Sequence, residues 1–585
     1  MATAPLASRA LLAATRLVAL PAARRASTHH SRNARLALSA AGFAPADASP
    51  APARGAPRRG GGRASGRGGG RGGRGASRSS DVAQVKRRPR QFSDAQRASI
   101  DALQALADAR AAPLCVLVKG KANLFLDGAP IVYGGAVASV IGNPQLADPV
   151  IVVDHANAVV GWGTYNPHSM YRVRVLEMAW EVELARNPSD VTKTAVRCDV
   201  GEVIKRRVRK AFQLRRDVFP DWFETNDSSD NVNTTTTYRL FNAEGDRLSG
   251  ACCDVYADRR TNVTYAVLSS SSAWTQKYQK EIVSALGSEA NVDVVVWRVD
   301  EKMLKLETGA AEWVAEKRRG DDTEAEEEED DEDDEKVSSS ADEGEYATKI
   351  FDAKTGALTS LPSDGEPLVV VENGVSYEVD LALGHKTGFY VDQRENRLSM
   401  RGWAAGKNKV LDVCTYTGGF AINAAMAGAS SVVGVDSSQP ALDIAKRNAA
   451  RNGVASNCTF VKAEAFKHLE WLLEEGHAGT YDVIVLDPPK LAPNAKSLTR
   501  ALPKYVGLNK RAMRLLRPGG LLVTCSCSGA VTQNNLLPDV VLAAAQSAGT
   551  SATALGAPRG AGADQPLDPF YPEGNYLTVC VYRIG

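Results

Sequence analysis

The sequence predicts an α/β protein in which a parallel sheet with helices on both faces follows a small β-barrel and a mixed α/β segment. After Asn373, strand-like and helix-like runs alternate, which is typical of a parallel sheet covered on both faces. From about Leu114 to Leu176, short β-branched runs alternate with turn residues, which favours a barrel. A chain of 585 residues, of which 44% are hydrophobic, can bury several such cores.

The first 110 residues differ in composition from the rest of the chain. They carry 20 Lys and Arg residues against 5 Asp and Glu residues, and no acid precedes Asp47. Residues 1–46 are rich in Ala, Ser and Arg, which is typical of an organelle transit peptide, although a terminus without a targeting role has the same bias. Residues 54–78 form an Arg/Gly tract that cannot bury a core, and that serves either as a spacer or as an auxiliary RNA contact.

The segment after the barrel combines a basic helix, several strands and an acidic run. Residues 201–217 place Val203, Ile204 and Val208 at helical spacing among basic residues, which indicates an amphipathic helix whose basic face is either solvated or in contact with RNA. Asp321–Glu335 contributes 13 acids and predicts a self-repelling insertion. Since the net charge of the chain is only +2, any attraction to nucleic acid must come from the tail or from local patches.

Polar residues end the strand-like runs after Asn373, at the carboxyl edge where parallel sheets bind ligands. The first run opens into a loop with a glycine pair, which lets the backbone approach a ligand, and into a helix whose amino end favours a carboxylate. The second run ends in an acid at the separation that suits a ribose diol, and the third ends in an acid that could flank an adenine. A GxGxxG motif is absent, which argues against NAD and favours a methyl-donor site for S-adenosylmethionine. The predicted cofactor-binding residues are Asp412, Thr417, Gly418, Gly419, Asp436 and Glu464.

The last two parallel runs carry candidate catalytic residues. Asp487 is followed by two prolines, which force a stiff turn that aims its carboxylate into the cleft. Cys525 and Cys527 share one face of the next run by the period of two. A thiolate that adds to carbon 6 of a pyrimidine makes carbon 5 nucleophilic, so a cysteine here suits methylation at that carbon. We predict that Cys527 is the nucleophile and that Asp487 holds the ring, while Cys525 fills the core unless it is itself the nucleophile.

These residues lie in segments that resemble a known family. GHKTGFYVDQRENRL (Gly384–Leu398), VLDVCTYTGGFAINAAMAGASSVVGVD, YDVIVLDPPK and GGLLVTCSCSG are similar to the bacterial large-subunit rRNA cytosine-C5 methyltransferases with an amino-terminal PUA domain. The resemblance runs from about Leu114 to Gly585. It implies the same cofactor, the same roles for Asp487 and Cys527, and RNA as the partner. Glu464 stands where that family usually has Asp, and Cys525 adds a second thiol.

The resemblance implies a Rossmann-like class I methyltransferase domain preceded by a PUA-like β-barrel and a mixed α/β middle domain. The nine cysteines lack CxxC pairs and zinc-like spacing, and no run of about 20 apolar residues suggests a membrane span, so we expect neither a metal nor a membrane partner. Methylation of a nitrogen, and RNA binding without catalysis in ribosome assembly, stay open as alternatives. We expect an organelle, either the mitochondrion or the chloroplast. The predicted units are residues 1–110 (transit peptide and disordered tail), 111–185 (PUA-like), 186–372 (middle domain with an acidic insertion at 320–346) and 373–585 (methyltransferase).

Overall fold

The computed structural model describes residues 90–183, 185–187, 190–195, 198–223, 235–270, 272–308, 346–361, 367–381, 384 and 387–585. The predicted transit peptide, the Arg/Gly tract and the acidic run Asp321–Glu335 lie outside those residues. The helices are α1 (Asp94–Asp108), α2 (Ala122–Leu126), α3 (Val200–Val218), α4 (Ala273–Lys277), α5 (Gln279–Ala290), α6 (Glu301–Thr308), α7 (Arg394–Ala404), α8 (Gly419–Met426), α9 (Gln439–Arg451), α10 (Ala465–Glu474), α11 (Leu498–Leu515), α12 (Gly529–Gln533) and α13 (Leu537–Ala548).

The strands form three sheets and two separate hairpins. A six-stranded sheet holds the first six strands in the order β2-β6-β5-β4-β1-β3, a five-stranded sheet has the order β13-β12-β11-β10-β9, and a seven-stranded sheet has the order β18-β17-β16-β19-β20-β22-β21. The strands are β1 (Leu114–Leu117), β2 (Ile131–Tyr133), β3 (Val137–Ile141), β4 (Pro149–Val153), β5 (Val159–Tyr165), β6 (Tyr171–Met178), β7 (Ala185–Asn187), β8 (Asp190–Ala195), β9 (Thr237–Asn242), β10 (Ala251–Asp258), β11 (Val263–Ser270), β12 (Val294–Asp300), β13 (Tyr346–Asp352), β14 (Leu368–Glu372), β15 (Val375–Val379), β16 (Lys409–Val413), β17 (Ser431–Asp436), β18 (Cys458–Lys462), β19 (Tyr481–Leu486), β20 (Leu516–Ser526), β21 (Ala552–Ala554) and β22 (Thr578–Ile584).

Helix α1 lies inside the 1–110 segment that was expected to be disordered, so that expectation does not hold for this stretch. The side chain of Ser93 accepts from the Gln96 backbone and the Gln96 side chain accepts from the Ser93 backbone, which forms a capping box. Leu103 and Ala107 are buried in the core beneath the first sheet. Burial of this apolar face explains why the helix forms.

The basic helix was predicted over residues 201–217, and α3 confirms it within one residue at each end. Its cations face carboxylates of neighbouring elements: Arg206 pairs with Glu177 at 2.6 Å and Arg209 pairs with Glu289 at 2.7 Å. The local acids already neutralise the positive charge of this face, so that charge no longer supports the hypothesis that the face contacts RNA.

The two predicted amino-terminal units share one hydrophobic core. A single buried cluster contains Leu103 of α1, Trp162 of β5, Val203 of α3 and Trp297 of β12. The predicted domain boundary at 185/186 therefore separates two segments that share one core, because α3 packs its apolar face into the core between the six-stranded and the five-stranded sheet.

The hairpin β14–β15 joins the middle of the chain to the last sheet. Its turn residues Asn373 and Gly374 have φ values of 48° and 75°, as a two-residue hairpin turn requires. Tyr377 is buried in a cluster with Tyr256 of the five-stranded sheet and Ile422 of α8. The boundary predicted at 372/373 falls in this turn and would cut the hairpin in two.

The seven-stranded sheet has the parallel core that the sequence predicts. Strands β16 to β20 are parallel, and β22 is antiparallel to β20. Leu411 and Ile484 point into the core on one face, while Val410 and Val483 belong to the core on the other. The chain reverses direction across the sheet between β16 and β19, and open α/β sheets bind ligands at such a point.

Buried ion pairs hold helix α7 between this sheet and the rest of the chain. Arg394 donates two hydrogen bonds to Asp564, at 2.6 and 2.8 Å, and Asp564 also accepts from the Arg239 backbone at 2.8 Å. Arg397 pairs with Glu372 at 2.6 Å. The side chains of Arg394 and Asp564 are 1% and 0% exposed, so these charges depend on each other for solvation.

We expect Arg394→Ala to lower the free energy of unfolding by about 3–5 kcal/mol, because it leaves the Asp564 carboxylate buried without its cation. Chemical denaturation measures the loss. Arg209→Ala is the control, since Arg209 is an ion-paired arginine whose side chain is 62% exposed, and it should leave stability almost unchanged. Equal effects of the two substitutions would contradict the structural role given to Arg394.

Candidate functional site

The site lies at the carboxyl ends of the parallel strands, where all predicted cofactor and catalytic residues come together. Asp412 is the penultimate residue of β16, and Asp436 is the last residue of β17. Asp487 and Cys527 each stand one residue beyond the end of their strands, β19 and β20. This arrangement follows from the parallel pairing, which brings the polar ends of neighbouring strands to one edge.

Asp412 is a buried carboxylate with one unsatisfied oxygen. Its Oδ2 accepts from Thr415 Oγ1 at 2.5 Å and from the Ala421 backbone at 3.0 Å, whereas its Oδ1 has no partner among the described residues. Burial, with a smaller contribution from the charges of Asp487 and Asp436, raises the pKa of Asp412 to about 7 despite the lowering effect of these hydrogen bonds. A cationic group close to Asp412 would favour the charged form of this carboxylate, against the effects of burial and of the neighbouring carboxylates.

The loop after β16 has a strained backbone that Asp436 holds in place. Cys414 and Tyr416 have φ values of 64° and 51°, in the left-handed region that non-glycine residues seldom adopt. Asp436 accepts from the Tyr416 backbone and from the Ser438 backbone, each at 2.9 Å. Each carboxylate oxygen can accept a further hydrogen bond, so Asp436 can still bind a ribose diol.

The glycine pair is required by packing as well as by its turn. Gly418 has a φ of 87°, and a Cβ there would lie 3.1 Å from Ile422 Cδ1. A Cβ at Gly419 would lie 2.7 Å from Cδ of Arg397. These glycines are predicted to let the backbone approach a ligand, and their tight fit against protein atoms restricts side chains at both positions as well. Thr417 is buried next to them, and its carbonyl accepts from Asn448 at 3.2 Å.

Glu464, which is predicted to flank the adenine, also caps a helix. It is the amino-terminal cap of α10, where its two oxygens accept from the backbones of Phe466 and Lys467 at 3.0 and 2.9 Å. It lies close to the end of β17, since the Ala463 backbone donates to the Asp436 carbonyl at 2.9 Å. Since each carboxylate oxygen can accept a further hydrogen bond, the capping role is compatible with a contact to the adenine, and that contact stays a prediction.

Sequence reasoning missed Gln393, which holds Asp487. Nε2 of Gln393 donates to Asp487 Oδ2 at 3.0 Å, and Asn396 Nδ2 donates to Gln393 Oε1 at 2.8 Å. The second bond orients the Gln393 amide, so its nitrogen faces the carboxylate. Both amides are buried. All five residues of the run Gln393–Arg397 are polar. Such a run indicates a functional role only when its residues are known to be buried, which the sequence does not show.

The two thiols of the last parallel strand differ in environment. Cys525 is fully buried in the cluster that includes Val485 and Val523. Burial raises the pKa of the Cys525 thiol well above its usual value, and the charge of Asp487 adds to that effect, so a thiolate is disfavoured there. Cys527 lies past the end of β20 and is only partly buried. The geometry favours Cys527 as the reactive thiol.

The charges of the site suit a cationic cofactor. Burial is the largest cause of the raised pKa of Asp412, and the nearby negative charges of Asp487 and Asp436 add to it. S-adenosylmethionine carries an ammonium and a sulfonium against one carboxylate, and so has a net positive charge. Asp436, at the end of β17, offers an acceptor to its ribose. In the described part of the chain, no cluster of three or more His, Cys, Asp or Glu residues could hold a metal ion.

The chain is similar to known protein families and to known bacterial proteins. A family model described as S-adenosylmethionine-dependent methyltransferase matches residues 356–550, and a PUA-like domain model matches residues 116–177. The ribosomal RNA large subunit methyltransferase I of Enterobacter sp. (strain 638) is 33% identical over 471 residues, which cover 80% of this chain and 98% of that protein. Its counterpart in Salmonella enteritidis PT4 is 32% identical over 477 residues, 81% of this chain and 98% of that protein.

Solved structures support the fold. A candidate SAM-dependent methyltransferase from Streptococcus mutans superposes with a TM-score of 0.56 at 17% identity, over 80% of this chain and 99% of its own. A candidate methyltransferase complexed with SAH superposes with a TM-score of 0.57 at 18% identity over the same shares. A PUA-like domain thus precedes a Rossmann-like methyltransferase domain, and S-adenosylmethionine is the cofactor. None of the helices in the described ranges is long and apolar enough to cross a membrane.

We expect Asp436→Ala to weaken S-adenosylmethionine binding by about ten- to a hundredfold, because it removes charge-assisted hydrogen bonds to the ribose. Calorimetric titration of the folded variant measures this. Glu464→Ala is the matched comparison: it should lower the free energy of unfolding by about 0.5–2 kcal/mol through loss of the cap, with a smaller effect on affinity. A larger affinity loss in Glu464→Ala than in Asp436→Ala would indicate that Glu464 contributes more to cofactor binding than Asp436 does.

Proposed function

The chain belongs to the ribosomal RNA large subunit methyltransferase I family, and from this premise we propose that it methylates carbon 5 of a cytosine in large-subunit ribosomal RNA. The proposal also takes Cys527 as the nucleophile and Asp487 as the residue that holds the base. The alignment along 98% of each of these relatives supports an rRNA substrate, since the names of both state that they act on it.

The observation that carries the proposal is the position of Cys527 relative to Asp487. Leu486 and Thr524 are paired residues of the neighbouring parallel strands β19 and β20, which lie about 4.8 Å apart. Asp487 follows Leu486 directly, and Cys527 is three residues beyond Thr524, past the end of its strand. A planar base that enters between these two ends meets the carboxylate at its edge and the thiol at its face.

The reaction needs a nucleophilic catalyst because carbon 5 of cytosine is itself a poor nucleophile. S-adenosylmethionine supplies an electrophilic methyl group. The Cys527 sulfur adds to carbon 6 of the ring, which forms an S–C bond and makes carbon 5 electron-rich. Carbon 5 then takes the methyl group, with S-adenosylhomocysteine as the leaving group. Carbon 5 next loses its hydrogen as a proton to a base, and the electron pair left behind restores the double bond between carbons 5 and 6 and expels the Cys527 thiolate.

Asp487 steadies the ring during this sequence. Its carboxyl group can hydrogen-bond the ring at N3 and at the exocyclic amino group. Gln393 fixes the orientation of the carboxylate, and Asn396 fixes Gln393. This chain of buried amides keeps the carboxylate at one angle, so less conformational freedom is lost when the base binds.

RNA recognition is proposed to involve the PUA-like domain together with the amino-terminal tail. The composition of residues 1–46 supports an organelle as the site of action, either the mitochondrion or the chloroplast. An rRNA substrate in that compartment agrees with this proposal.

Methylation of a ring or exocyclic nitrogen is the second candidate function. The Asp487-Pro488-Pro489 turn favours it, because such a turn can present a carboxylate to a planar acceptor without a cysteine. Cys527 would then have no covalent role, and this separates the two candidates.

We expect Cys527→Ala to abolish methyl transfer while leaving S-adenosylmethionine affinity unchanged, because the lost interaction exists only along the reaction path. Cys525→Ala is the matched control on the same strand and should retain most activity. Rates are measured with rRNA fragments and affinity by calorimetry.

An rRNA fragment substituted with 5-fluorocytosine extends this test. Fluorine at carbon 5 blocks the final proton loss and should trap a protein–RNA adduct, which mass spectrometry maps to one cysteine. An adduct on Cys525 would reverse the assignment, and full activity of the double Cys→Ala variant would leave nitrogen methylation as the function.

Bisulfite sequencing of large-subunit rRNA from purified organelles should show one cytosine that is protected when the protein is present and converted when it is deleted. The same position in cytosolic rRNA serves as the control. Identical conversion patterns in both strains would argue against an organellar rRNA cytosine as the substrate.

A further inference from the structure

The segment 492–505 is attached at both ends to the neighbours of Cys527. Ser528 Oγ donates a hydrogen bond to the Ala492 carbonyl, and the Tyr505 and Ser526 hydroxyls are hydrogen-bonded at 3.1 Å. Ser526 and Ser528 are the residues on either side of Cys527. Both ends of the segment are therefore held close to the nucleophile, and groups along it have a defined position relative to the target base.

The surroundings of this segment are strongly basic in sequence. Between Asp487 and Asp539 the chain contains eight Lys and Arg residues and no acid. Two of those cations form ion pairs, Arg511 with Glu470 and Arg517 with Asp482. Such a long acid-free stretch stands out in a chain whose net charge is only +2.

Three cations of the segment have no acidic partner in the part of the chain that the structure describes. No carboxylate of the described residues forms an ion pair with Lys496, Arg500 or Lys504. Arg500 and Lys504 are four residues apart and so lie on one side of α11. The contrast with α3 is direct, because there Arg206 and Arg209 are neutralised by glutamates.

The segment also borders a surface cavity of about 500 Å³. It is lined by Asn494, Lys496, Ser497, Thr499 and Arg500, all of which are polar. The only large apolar residue among 494–500 is Leu498, which is buried, so the surface offers no apolar anchor for a membrane. Hydroxyl, amide and cationic groups are the ones that bind the sugar–phosphate backbone of nucleic acids.

We propose that the segment 492–505 binds the sugar–phosphate backbone of the RNA next to the target nucleotide, through Lys496, Arg500 and Lys504. The inference rests on the proposed function, because it takes RNA as the substrate. Backbone contacts carry no sequence information, but they set the register of the strand. In this arrangement the segment aligns the RNA so that one base reaches the gap between Asp487 and Cys527.

The test compares two full-length variants with the same change in charge. One combines Lys496→Gln, Arg500→Gln and Lys504→Gln. The control combines Lys205→Gln, Arg209→Gln and Lys210→Gln, on the ion-paired face of α3. Affinity for a single-stranded poly-cytidylate oligonucleotide is measured as a function of salt, together with S-adenosylmethionine affinity and melting temperature as checks of folding.

For the segment variant we expect the slope of log affinity against log salt to fall in magnitude by about 2, since each lost single-strand phosphate contact removes about 0.7. The α3 variant should keep the wild-type slope. With rRNA as substrate, the segment variant should raise the KM for RNA and keep kcat at saturation. Binding of S-adenosylmethionine should be unchanged in both.

Equal slopes in all three proteins, or an equal loss in both variants, would overturn the inference. The first result would mean that these cations do not contact RNA, and the second that only the total charge matters. If the wild-type protein binds RNA but transfers no methyl group to it, the proposed function fails, while the comparison of slopes still decides whether this surface binds RNA.

Discussion

The buried ion pair between Arg394 and Asp564 holds the elements that form the site. Asp564 lies on the loop before the last strand, and it accepts from Arg394 of α7 and from the Arg239 backbone of β9. Neither charge reaches solvent, so each depends on the other for its solvation. Helix α7 begins next to Gln393, whose amide orients Asp487. The ion pair thus anchors the start of the helix beside the glutamine that holds the candidate catalytic carboxylate.

Charge is separated around the cleft by sign. The cofactor side has the carboxylates Asp412 and Asp436, which suit a ligand with a net positive charge. The acceptor side is bordered by a segment without acids, which suits a polyanion. Neither feature is visible in the net charge of +2, because that value sums 70 basic and 68 acidic residues over the whole chain. Salt screens charges over short distances, so their local placement matters more for binding than their sum.

Periodic hydrophobic patterns predicted the elements well where packing follows local sequence. The basic helix appears one residue longer at each end than predicted, and the parallel strands appear with their polar ends at one edge. Helix α1 was missed although Ser93 and Gln96 form a recognisable capping box, because the basic composition of the tail dominated the prediction. The hairpin turn at Asn373 and Gly374 was also readable, yet the domain boundary was placed inside it.

The sequence by itself determined the parallel sheet and the polar residues at its carboxyl edge, and therefore the candidate residues of the site. Strand periodicity is local, and parallel pairing brings strand ends together whatever the loops do. Only the tertiary structure decided how each of these residues is held: it made Glu464 a helix cap, left Oδ1 of Asp412 without a partner among the described residues and buried Cys525. The physical reason is that hydrogen-bond partners come from distant parts of the chain. Gln393 and Asp487 are 94 residues apart, and Arg239 and Asp564 are 325 apart, so no local pattern records them.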